Sequence, residues 1–263
     1  MSNINWFMQT AQHSIKEFLA PTRCVVCGCF GRDFCRDCLT ILIPLKSQCP
    51  VCRLPSANYD THELCKSQTS LDYLIVSCTY NDIAKCLVEE LKYKFNRDIS
   101  KELMQIMISN EDICEILSEQ AVFVPVPLHS KREKWRGFNQ AEVLVDEMIK
   151  MSQKTNQFTT YYDYIEQNTI KYDGIITKSK LLKRVRNNKP QAWLEREQRL
   201  KNLDGSFMID KDEYQKLYKD RKTLSIVLVD DVTTTGTTLN ECAKILKDAG
   251  FKYVGAVVFA RGE

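Results

Sequence analysis

The sequence predicts an α/β protein, with a mostly parallel sheet flanked by helices and a small cysteine-rich module in front of it. Three observations predict this. From residue 71 onward, short apolar runs alternate with stretches whose apolar residues recur at helical spacing. Eight of the 12 cysteines lie between Cys24 and Cys65. One apolar run ends directly in two carboxylates and a threonine-rich loop, which is where parallel sheets bind ligands.

Length and charge set the class of protein. With 263 residues, we expect one domain of common size over residues 71–263 and a smaller module over residues 21–70. The net charge of +3 gives no overall argument for nucleic-acid binding, so local basic patches must supply one. No apolar run reaches the roughly 20 residues of a membrane-spanning helix. Residues 1–20 lack a basic start and a continuous apolar region, so they predict an amphipathic helix rather than a signal peptide.

Two Cys-x-x-Cys pairs separated by seven residues predict a zinc site. Each pair makes a tight turn that directs two thiolates at one ion, and together they complete a closed tetrahedral set with a structural role. Clustered thiols in a chain without an export signal favour metal over disulfides. The predicted ligands are Cys24, Cys27, Cys35 and Cys38.

A second cysteine cluster follows and is less complete. Its candidate ligands are Cys49, Cys52, His62 and Cys65, with the histidine as the fourth. The alternative is that this Cys-x-x-Cys turn, called a knuckle below, has lost its metal and packs through ordinary contacts.

The remaining elements follow from apolar periodicity and capping residues. Strands are predicted over residues 73–80, 121–125, 225–229 and 253–259, and helices over residues 82–95, 101–108, 137–151, 190–203 and 237–248. Two polar stretches, residues 152–180 and 210–222, have weak periodicity. We expect them to be insertions, either loops or a small surface hairpin.

The segment after the strand over residues 225–229 predicts a site for a sugar 5-phosphate. Asp230 and Asp231 stand where they could hold ribose hydroxyls, or a metal through water. The following loop can offer backbone N–H groups and hydroxyls to a phosphate at the positive end of a helix. A Walker loop is excluded because no Gly-Lys-Ser/Thr follows the glycine. The loop residues are Thr233, Thr234, Thr235, Gly236, Thr237 and Thr238.

Two basic clusters complete the candidate sites. A strand that breaks at two prolines and continues into a basic helix suits a pyrophosphate, with Pro125, Val126, Pro127 and Arg136 on that side. Basic and aromatic side chains could also follow a DNA backbone and stack on its bases. These candidates are Lys131, Arg132, Trp135, Arg184 and Arg186. The alternative is that the basic tracts are solvated faces together with the pyrophosphate site.

Taken together, these motifs resemble the ComF family of competence-associated proteins. The acidic pair and its loop alone resemble the 5-phosphoribosyl pyrophosphate (PRPP) loop of type I phosphoribosyltransferases. The paired Cys-x-x-Cys turns and the run Arg-Gly-Phe-Asn-Gln at residues 136–140 narrow the resemblance from phosphoribosyltransferases in general to the ComF family. Further matching motifs lie at residues 91–93, 124–129 and 260–261. The sequence departs from the family at Gln68, where many relatives have a cysteine, and in the insertion over residues 152–180.

The resemblance implies an N-terminal zinc finger, a type I phosphoribosyltransferase fold and a role in natural transformation. There the family is thought to bring incoming single-stranded DNA into the cytoplasm beside a helicase-like partner. We therefore expect a cytoplasmic protein, either free or held at the inner face of the membrane through partners.

Three functional hypotheses stay open at this point. The favoured one is a PRPP-binding factor in DNA uptake. The second is an active phosphoribosyltransferase that uses Mg²⁺ with PRPP and joins a nitrogen acceptor to the anomeric carbon, releasing pyrophosphate. The third is a PRPP-sensing adaptor without catalysis. Whether the protein is an enzyme, and for which acceptor, is left undecided by the sequence.

Overall fold

The computed structural model of the chain describes residues 21–93, 99–108, 121–154, 157–159, 169–171, 177–186 and 205–262. The helices predicted over residues 1–20 and 190–203 lie outside these ranges. In chain order the strands are β1 (Leu74–Thr79), β2 (Ala121–Pro125), β3 (Gln157–Thr159), β4 (Thr169–Lys171), β5 (Thr177–Lys178), β6 (Leu182–Arg184), β7 (Phe207–Ile209), β8 (Ser225–Thr233) and β9 (Tyr253–Arg261). The helices are α1 (Arg36–Thr40), α2 (Asp82–Tyr93), α3 (Ile99–Ile108), α4 (Ser130–Arg136), α5 (Gln140–Lys154), α6 (Lys211–Leu217) and α7 (Thr237–Asp248).

A five-stranded parallel sheet in the order β1-β9-β8-β2-β5 forms the centre of the molecule. The central strands β8 and β9 are buried along most of their length, because helices cover both faces of the sheet. This is why they appear in the sequence as continuous apolar runs. Two antiparallel pairs, β3–β4 and β6–β7, lie outside this sheet.

The two faces of β8 separate the core into two layers. Val227 and Val229 pack with residues of α2, α3 and α5, whereas Ile226 and Leu228 pack with residues of α7. This alternation is the expected period of two for a strand covered on both faces. None of the described helices has both the length and the apolar character that crossing a bilayer requires.

The cysteine-rich module shares the first of these layers. Phe34 is fully buried and belongs to the same apolar cluster as Leu87 of α2. Isolated bridges from Pro44 to Cys78 and from Asp60 to Tyr73 attach the module to the edge of the sheet at β1. The division of the chain into residues 1–20, 21–70 and 71–263 stays a prediction.

Most predicted elements that fall within the described residues are confirmed, with shifted ends. The strand over residues 121–125 and the helix over residues 237–248 have the predicted limits. β8 runs on to Thr233, four residues beyond the predicted end, because it pairs with β9 as far as Arg261. The helix predicted from residue 137 begins at Gln140 instead, since Gly137 has a φ of 76° and ends the short helix α4.

The two polar insertions have different outcomes. For residues 152–180 the prediction was either a loop or a small hairpin, and β3 and β4 pair in antiparallel fashion, as the hairpin alternative requires. Strand β5 was not predicted and extends the sheet beside β2. For residues 210–222 the prediction of a loop or hairpin is wrong, because helix α6 occupies residues Lys211–Leu217. The Asp210 carboxylate caps this helix by accepting hydrogen bonds from the backbone N–H groups of Asp212 and Glu213.

Candidate functional site

The predicted acidic pair lies in the last part of the central strand β8. The Asp231 backbone N–H donates to Asp230 Oδ1 at 2.9 Å. The Val232 N–H donates to Asp231 Oδ1 at 2.8 Å. Both carboxylates are therefore oriented by the strand that carries them, at the edge of the sheet where parallel strands end and ligands bind.

Lys92, in the last turn of α2, forms an ion pair with this acidic site. Its Nζ lies 2.8 Å from Asp231 Oδ2, and the two side chains are 21% and 6% exposed. Burial by itself lowers the pKa of Lys92, but the charge of Asp231 and the bond to it outweigh burial and raise that pKa above its ordinary value. Lys92 is therefore charged across the physiological range and balances one of the two carboxylates.

Arg136, predicted on the pyrophosphate side, lies near the same carboxylates. It is buried, donates to Gln140 Oε1 at 2.6 Å, and its guanidinium carbon stands 5.4 Å from the centre of the Tyr93 ring. Burial lowers its pKa, and the charge of Asp231 opposes that shift. Among the residues that the structure describes, the Nε of Arg136 has no hydrogen-bond partner, so the side chain keeps a donor for a ligand.

Asp230 has a strongly raised pKa in this site. Burial first, and then the neighbouring charge of Asp231, raise its pKa to about 8. Two adjacent carboxyl groups in a partly dry site resist ionising together. A ligand that brings hydroxyl donors or a cation would favour the ionised form.

The threonine-rich loop joins β8 to α7. Gly236 has a φ of 77° and precedes α7, which starts at Thr237. No side chain of the residues described here by the structure caps this helix start, and the first backbone N–H groups of a helix have no acceptor within the helix. The Thr235 and Thr237 hydroxyls lie 2.6 Å apart. The loop thus combines a helix N-terminus with hydroxyl groups, as an anion site requires.

Three of the predicted pyrophosphate residues, Pro125, Val126 and Pro127, lie at the end of β2 and directly after it. The Val126 N–H donates to the Val229 carbonyl at 2.9 Å, and the Asn139 side-chain amide donates to the Val126 carbonyl at 3.0 Å. Pro125 and Pro127 line a cavity of about 390 Å³ together with Arg184. Arg184 was predicted to contact nucleic acid. The structure places it in this cavity, where burial lowers its pKa and the charge of Asp230 opposes that shift.

The other residues predicted to contact DNA lie on or near the surface. Lys131, Arg132 and Trp135 are on α4, and Trp135 is 65% exposed. Its ring meets that of Tyr93 edge to face, with centroids 6.2 Å apart. Arg186 is exposed and lies beside Gly205. The DNA contacts themselves stay predictions.

The first predicted metal set is brought together by the fold. The sulfur atoms of Cys24, Cys27, Cys35 and Cys38 all lie within 4.8 Å of one another. The Cys24–Cys38 and Cys27–Cys35 pairs are 3.8 and 3.5 Å apart. Such spacings suit a tetrahedron with Zn–S bonds of about 2.3 Å. Burial raises the pKa of Cys24, but backbone N–H donors outweigh it and lower that pKa to about 6, so the thiolate is favoured.

The second set also converges. The ligand atoms of Cys49, Cys52, His62 and Cys65 lie within 4.8 Å of one another. His62 Nδ1 stands 3.4 Å from Cys52 Sγ, and Nε2 stands 3.0 Å from the Pro55 carbonyl. Because a carbonyl only accepts, Nε2 carries the proton and Nδ1 keeps its lone pair for a metal. The residues therefore fit a second zinc, with His62 as the fourth ligand.

Three residues of the site could not be given a role from the sequence alone. Lys92 was part of a family motif without a function, and its contact with Asp231 joins residues 139 positions apart. Arg53 donates to the Thr234 carbonyl, and Arg261 donates to the Pro50 carbonyl. In the sequence, each of the three is visible only as a basic residue at the end of a helix, a knuckle or a strand. The group that each one contacts is determined by the tertiary fold.

Comparison with known proteins agrees with this architecture. Residues 164–263 match the family model described as phosphoribosyl transferase domain. The chain is 26% identical to Competence protein F of Haemophilus influenzae over 199 residues, which cover 74% of this chain and 76% of that protein. It is 26% identical to Competence protein ComFC of Streptococcus pneumoniae over 226 residues, covering 85% of this chain and 79% of that protein.

A third relative has a different name. DNA utilization protein YhgH of Salmonella typhimurium is 25% identical over 219 residues, covering 81% of this chain and 83% of that protein. These similarities cover about 200 residues or more, so they extend beyond the matched domain. On the N-terminal side of that domain lie the two sets of ligand residues that can hold zinc. The chain therefore combines a phosphoribosyltransferase domain with a preceding cysteine-rich module, and it is similar over most of its length to proteins named for competence and DNA utilization.

Proposed function

We propose that the protein binds PRPP at residues 230–238 and acts in natural transformation, where it assists the uptake of single-stranded DNA into the cytoplasm. One observation carries the PRPP assignment. An acidic pair at the end of a central parallel strand is followed directly by a glycine-containing, hydroxyl-rich loop at the start of a 12-residue helix. The relatives named as competence and DNA utilization proteins support the cellular role.

Each part of PRPP has a matching part of the site. Asp230 and Asp231 accept hydrogen bonds from the ribose hydroxyls, and the loop binds the 5-phosphate through backbone N–H groups and threonine hydroxyls. Arg136 and the turn at residues 125–127 serve the pyrophosphate. Carboxylate oxygens suit Mg²⁺, which accompanies PRPP and offsets its negative charge. Lys92 holds Asp231 in place.

The proposed DNA contact uses the basic surface of α4 and its neighbours. Lys131 is exposed, and the ring of Trp135 is 65% exposed, so both can reach a strand in solvent. Stacking of a base on such a ring contributes roughly 1–3 kcal/mol. A helicase-like partner and, through it, contact with the inner face of the membrane complete the proposal, and both rest on the family resemblance.

An active phosphoribosyltransferase is the second candidate, and a specific observation favours it. The pKa of Asp230 is raised to about 8, which brings this carboxyl group into the range where it can exchange protons at neutral pH. In that reaction a nitrogen nucleophile attacks the anomeric carbon, and pyrophosphate leaves. If the protein binds PRPP but shows neither turnover nor binding of single-stranded DNA, the same site describes a PRPP-sensing adaptor.

One experiment separates these functions. PRPP binding by calorimetry and binding of a labelled single strand by fluorescence anisotropy are measured on the same protein, with and without Mg²⁺, and pyrophosphate release is followed in parallel. Binding of both ligands without pyrophosphate release supports the DNA-uptake role. PRPP-dependent release of pyrophosphate with a nitrogen acceptor supports the enzyme. Absence of PRPP binding by the wild-type protein would refute the proposal.

A further inference from the structure

The two cysteine knuckles close with the same backbone turn but with different residues. In the first, the Gly28 N–H donates to the Cys24 carbonyl at 2.8 Å, and Gly28 has a φ of 77°. In the second, the Arg53 N–H donates to the Cys49 carbonyl at 3.0 Å, and Arg53 has a φ of 63°. Glycine adopts this left-handed conformation without steric cost, whereas a residue with a Cβ is strained there. Arg53 therefore occupies a position that suits glycine better, and such strain often marks a functional residue.

The side chain of Arg53 reaches the phosphate loop. Its Nη2 donates to the Thr234 carbonyl at 3.1 Å, across 181 positions of sequence. No carboxylate among the residues that the structure describes forms an ion pair with Arg53, and the residue is exposed. The knuckle thus places an unneutralised cation against the first residue of the loop that follows β8.

A second arginine contacts the same knuckle. Arg261, the last residue of β9, pairs in register with Thr233 and donates from Nη2 to the Pro50 carbonyl at 3.1 Å. Arg261 is buried, and within the described part of the chain its Nε and Nη1 have no hydrogen-bond partner. Its positive charge therefore adds to that of Arg53 beside the loop.

The second knuckle also lines a cavity beside the phosphate loop. Val51 and Thr69 from the cysteine-rich module line a cavity of about 340 Å³ together with Thr235, Thr237 and Lys244. The cysteine-rich module and the helix start of α7 hence border the same space. A phosphate bound by the loop would lie at the boundary between the two.

We propose that Arg53 is a positioning residue of the phosphosugar site, which holds the Thr234 carbonyl and directs its remaining donors towards the 5-phosphate. Holding that carbonyl fixes the orientation of the peptide groups that follow it, so the loop is ordered before the ligand arrives. A guanidinium also binds phosphate oxygens well through its planar set of donors. This inference rests on the proposed PRPP binding and makes the second knuckle part of the site.

The test uses the full chain loaded with zinc and PRPP with Mg²⁺ as the probe. Arg53→Gly is expected to weaken PRPP binding in calorimetry about tenfold, as expected for the loss of a charged hydrogen-bond donor. The zinc content and the unfolding temperature should not fall, because glycine relieves the backbone strain. Arg53→Lys keeps a cation and should recover most of the affinity. Leu54→Gly, at the next exposed position of the knuckle, is the matched control and should bind as the wild type does.

The outcomes that contradict the inference are distinguishable. If the wild type binds PRPP and Arg53→Gly binds it equally well, Arg53 has no role in the site and the inference is overturned. A glycine variant that loses zinc or unfolds at a lower temperature would assign Arg53 to the knuckle itself and would also overturn it. A lysine variant as weak as the glycine variant would contradict the role of charge. Failure of the wild type to bind PRPP would instead refute the proposed function.

Discussion

Lys92 Nζ lies 2.8 Å from Asp231 Oδ2 and joins the last turn of α2 to the end of the central strand β8. The Asp231 side chain is 6% exposed, so Lys92 is the cation that compensates for its burial. Burial first, and then the neighbouring charge of Asp231, raise the pKa of Asp230. The two adjacent carboxyl groups therefore differ before any ligand binds: Asp231 forms an ion pair, and Asp230 has a raised pKa.

Replacement of Lys92 should lower the free energy of unfolding, because Asp231 then has no cation beside it. Lys92→Met leaves Asp231 as a buried carboxylate without its cation, and we expect the free energy of unfolding to fall by about 2–3 kcal/mol. This is below the loss for a fully buried pair, because Lys92 is 21% exposed. The double variant Lys92→Met/Asp231→Asn should recover most of the loss. Urea denaturation at neutral pH measures all three proteins, and a single variant as stable as the wild type would show that the pair contributes nothing.

PRPP binding should release a proton near neutral pH. With a pKa raised to about 8, Asp230 is mostly protonated at pH 7, whereas ribose hydroxyls and Mg²⁺ favour its ionised form. Affinity should therefore decrease as the pH falls below 8. Calorimetry at pH 7 in buffers of different ionisation enthalpy measures the proton release, which should disappear at pH 9. Equal binding enthalpies in all buffers at pH 7 would contradict the raised pKa.

The raised pKa of Asp230 should also make the stability of the fold depend on pH. A carboxyl group whose pKa is higher in the folded state than in the unfolded state stabilises the fold at acidic pH, and this contribution is lost as the pH rises from about 4 to 8. Asp230→Asn removes the titrating group. The variant should therefore gain stability relative to the wild type as the pH rises to 9. A difference that is independent of pH would mean that Asp230 titrates normally.

Metal analysis should find two equivalents of zinc in protein purified without chelator. Both sets of four ligand atoms converge within 4.8 Å, and a closed set supplies folding free energy to a module with a small core. Cys24→Ser and His62→Ala should each lose one equivalent. Less than half an equivalent in the wild type would refute both sites, and an unchanged content in His62→Ala would remove the histidine from the second.

Single-stranded DNA binding should depend on salt and on α4. Replacement of Lys131, Arg132 and Lys134 by alanine should weaken binding and reduce the slope of log affinity against log salt by about 0.7 for each phosphate that is no longer neutralised. Fluorescence anisotropy with single and double strands across a salt series measures this. Trp135 can stack only on unpaired bases, so single strands should bind more tightly. A flat salt response, or equal affinity for duplex, would remove DNA as a direct ligand.

The sequence predicted those features that depend on neighbours along the chain. The limits of β2 and α7 follow from apolar runs and periodicity, and both metal sets follow from short cysteine spacings. Helix α6 also has a readable signal, although the weak periodicity around it favoured a loop: Asp210 caps it, and Glu213 stands three residues later. The two-residue strand β5 has no signal of its own, because only its pairing with β2 makes it a strand.

The interactions that complete the candidate site were not predictable in this way. Lys92 meets Asp231 across 139 positions, and Arg53 meets Thr234 across 181. Each basic residue alone is compatible with a solvated surface, which is the commonest environment for arginine and lysine. Only the order of strands in the sheet brings α2 and the second knuckle to the carboxyl end of β8.

If residues 230–238 bind PRPP, substitutions at Gly236 should abolish that binding. Its φ of 77° suits glycine, and among the described residues an added Cβ would come within 4 Å of Asn240 alone, at 3.8 Å. A side chain there would consequently obstruct the ligand more than the fold. Gly236→Asn tolerates this backbone better than Gly236→Val, so the two variants separate strain from obstruction.

Calorimetric titration of PRPP with Mg²⁺ into the wild type and both Gly236 variants is the measurement. The wild type is expected to bind PRPP and neither variant to bind it, while circular dichroism and zinc content show that the fold survives. Equal PRPP binding by the wild type and the valine variant would contradict the assignment of this loop as the phosphosugar site.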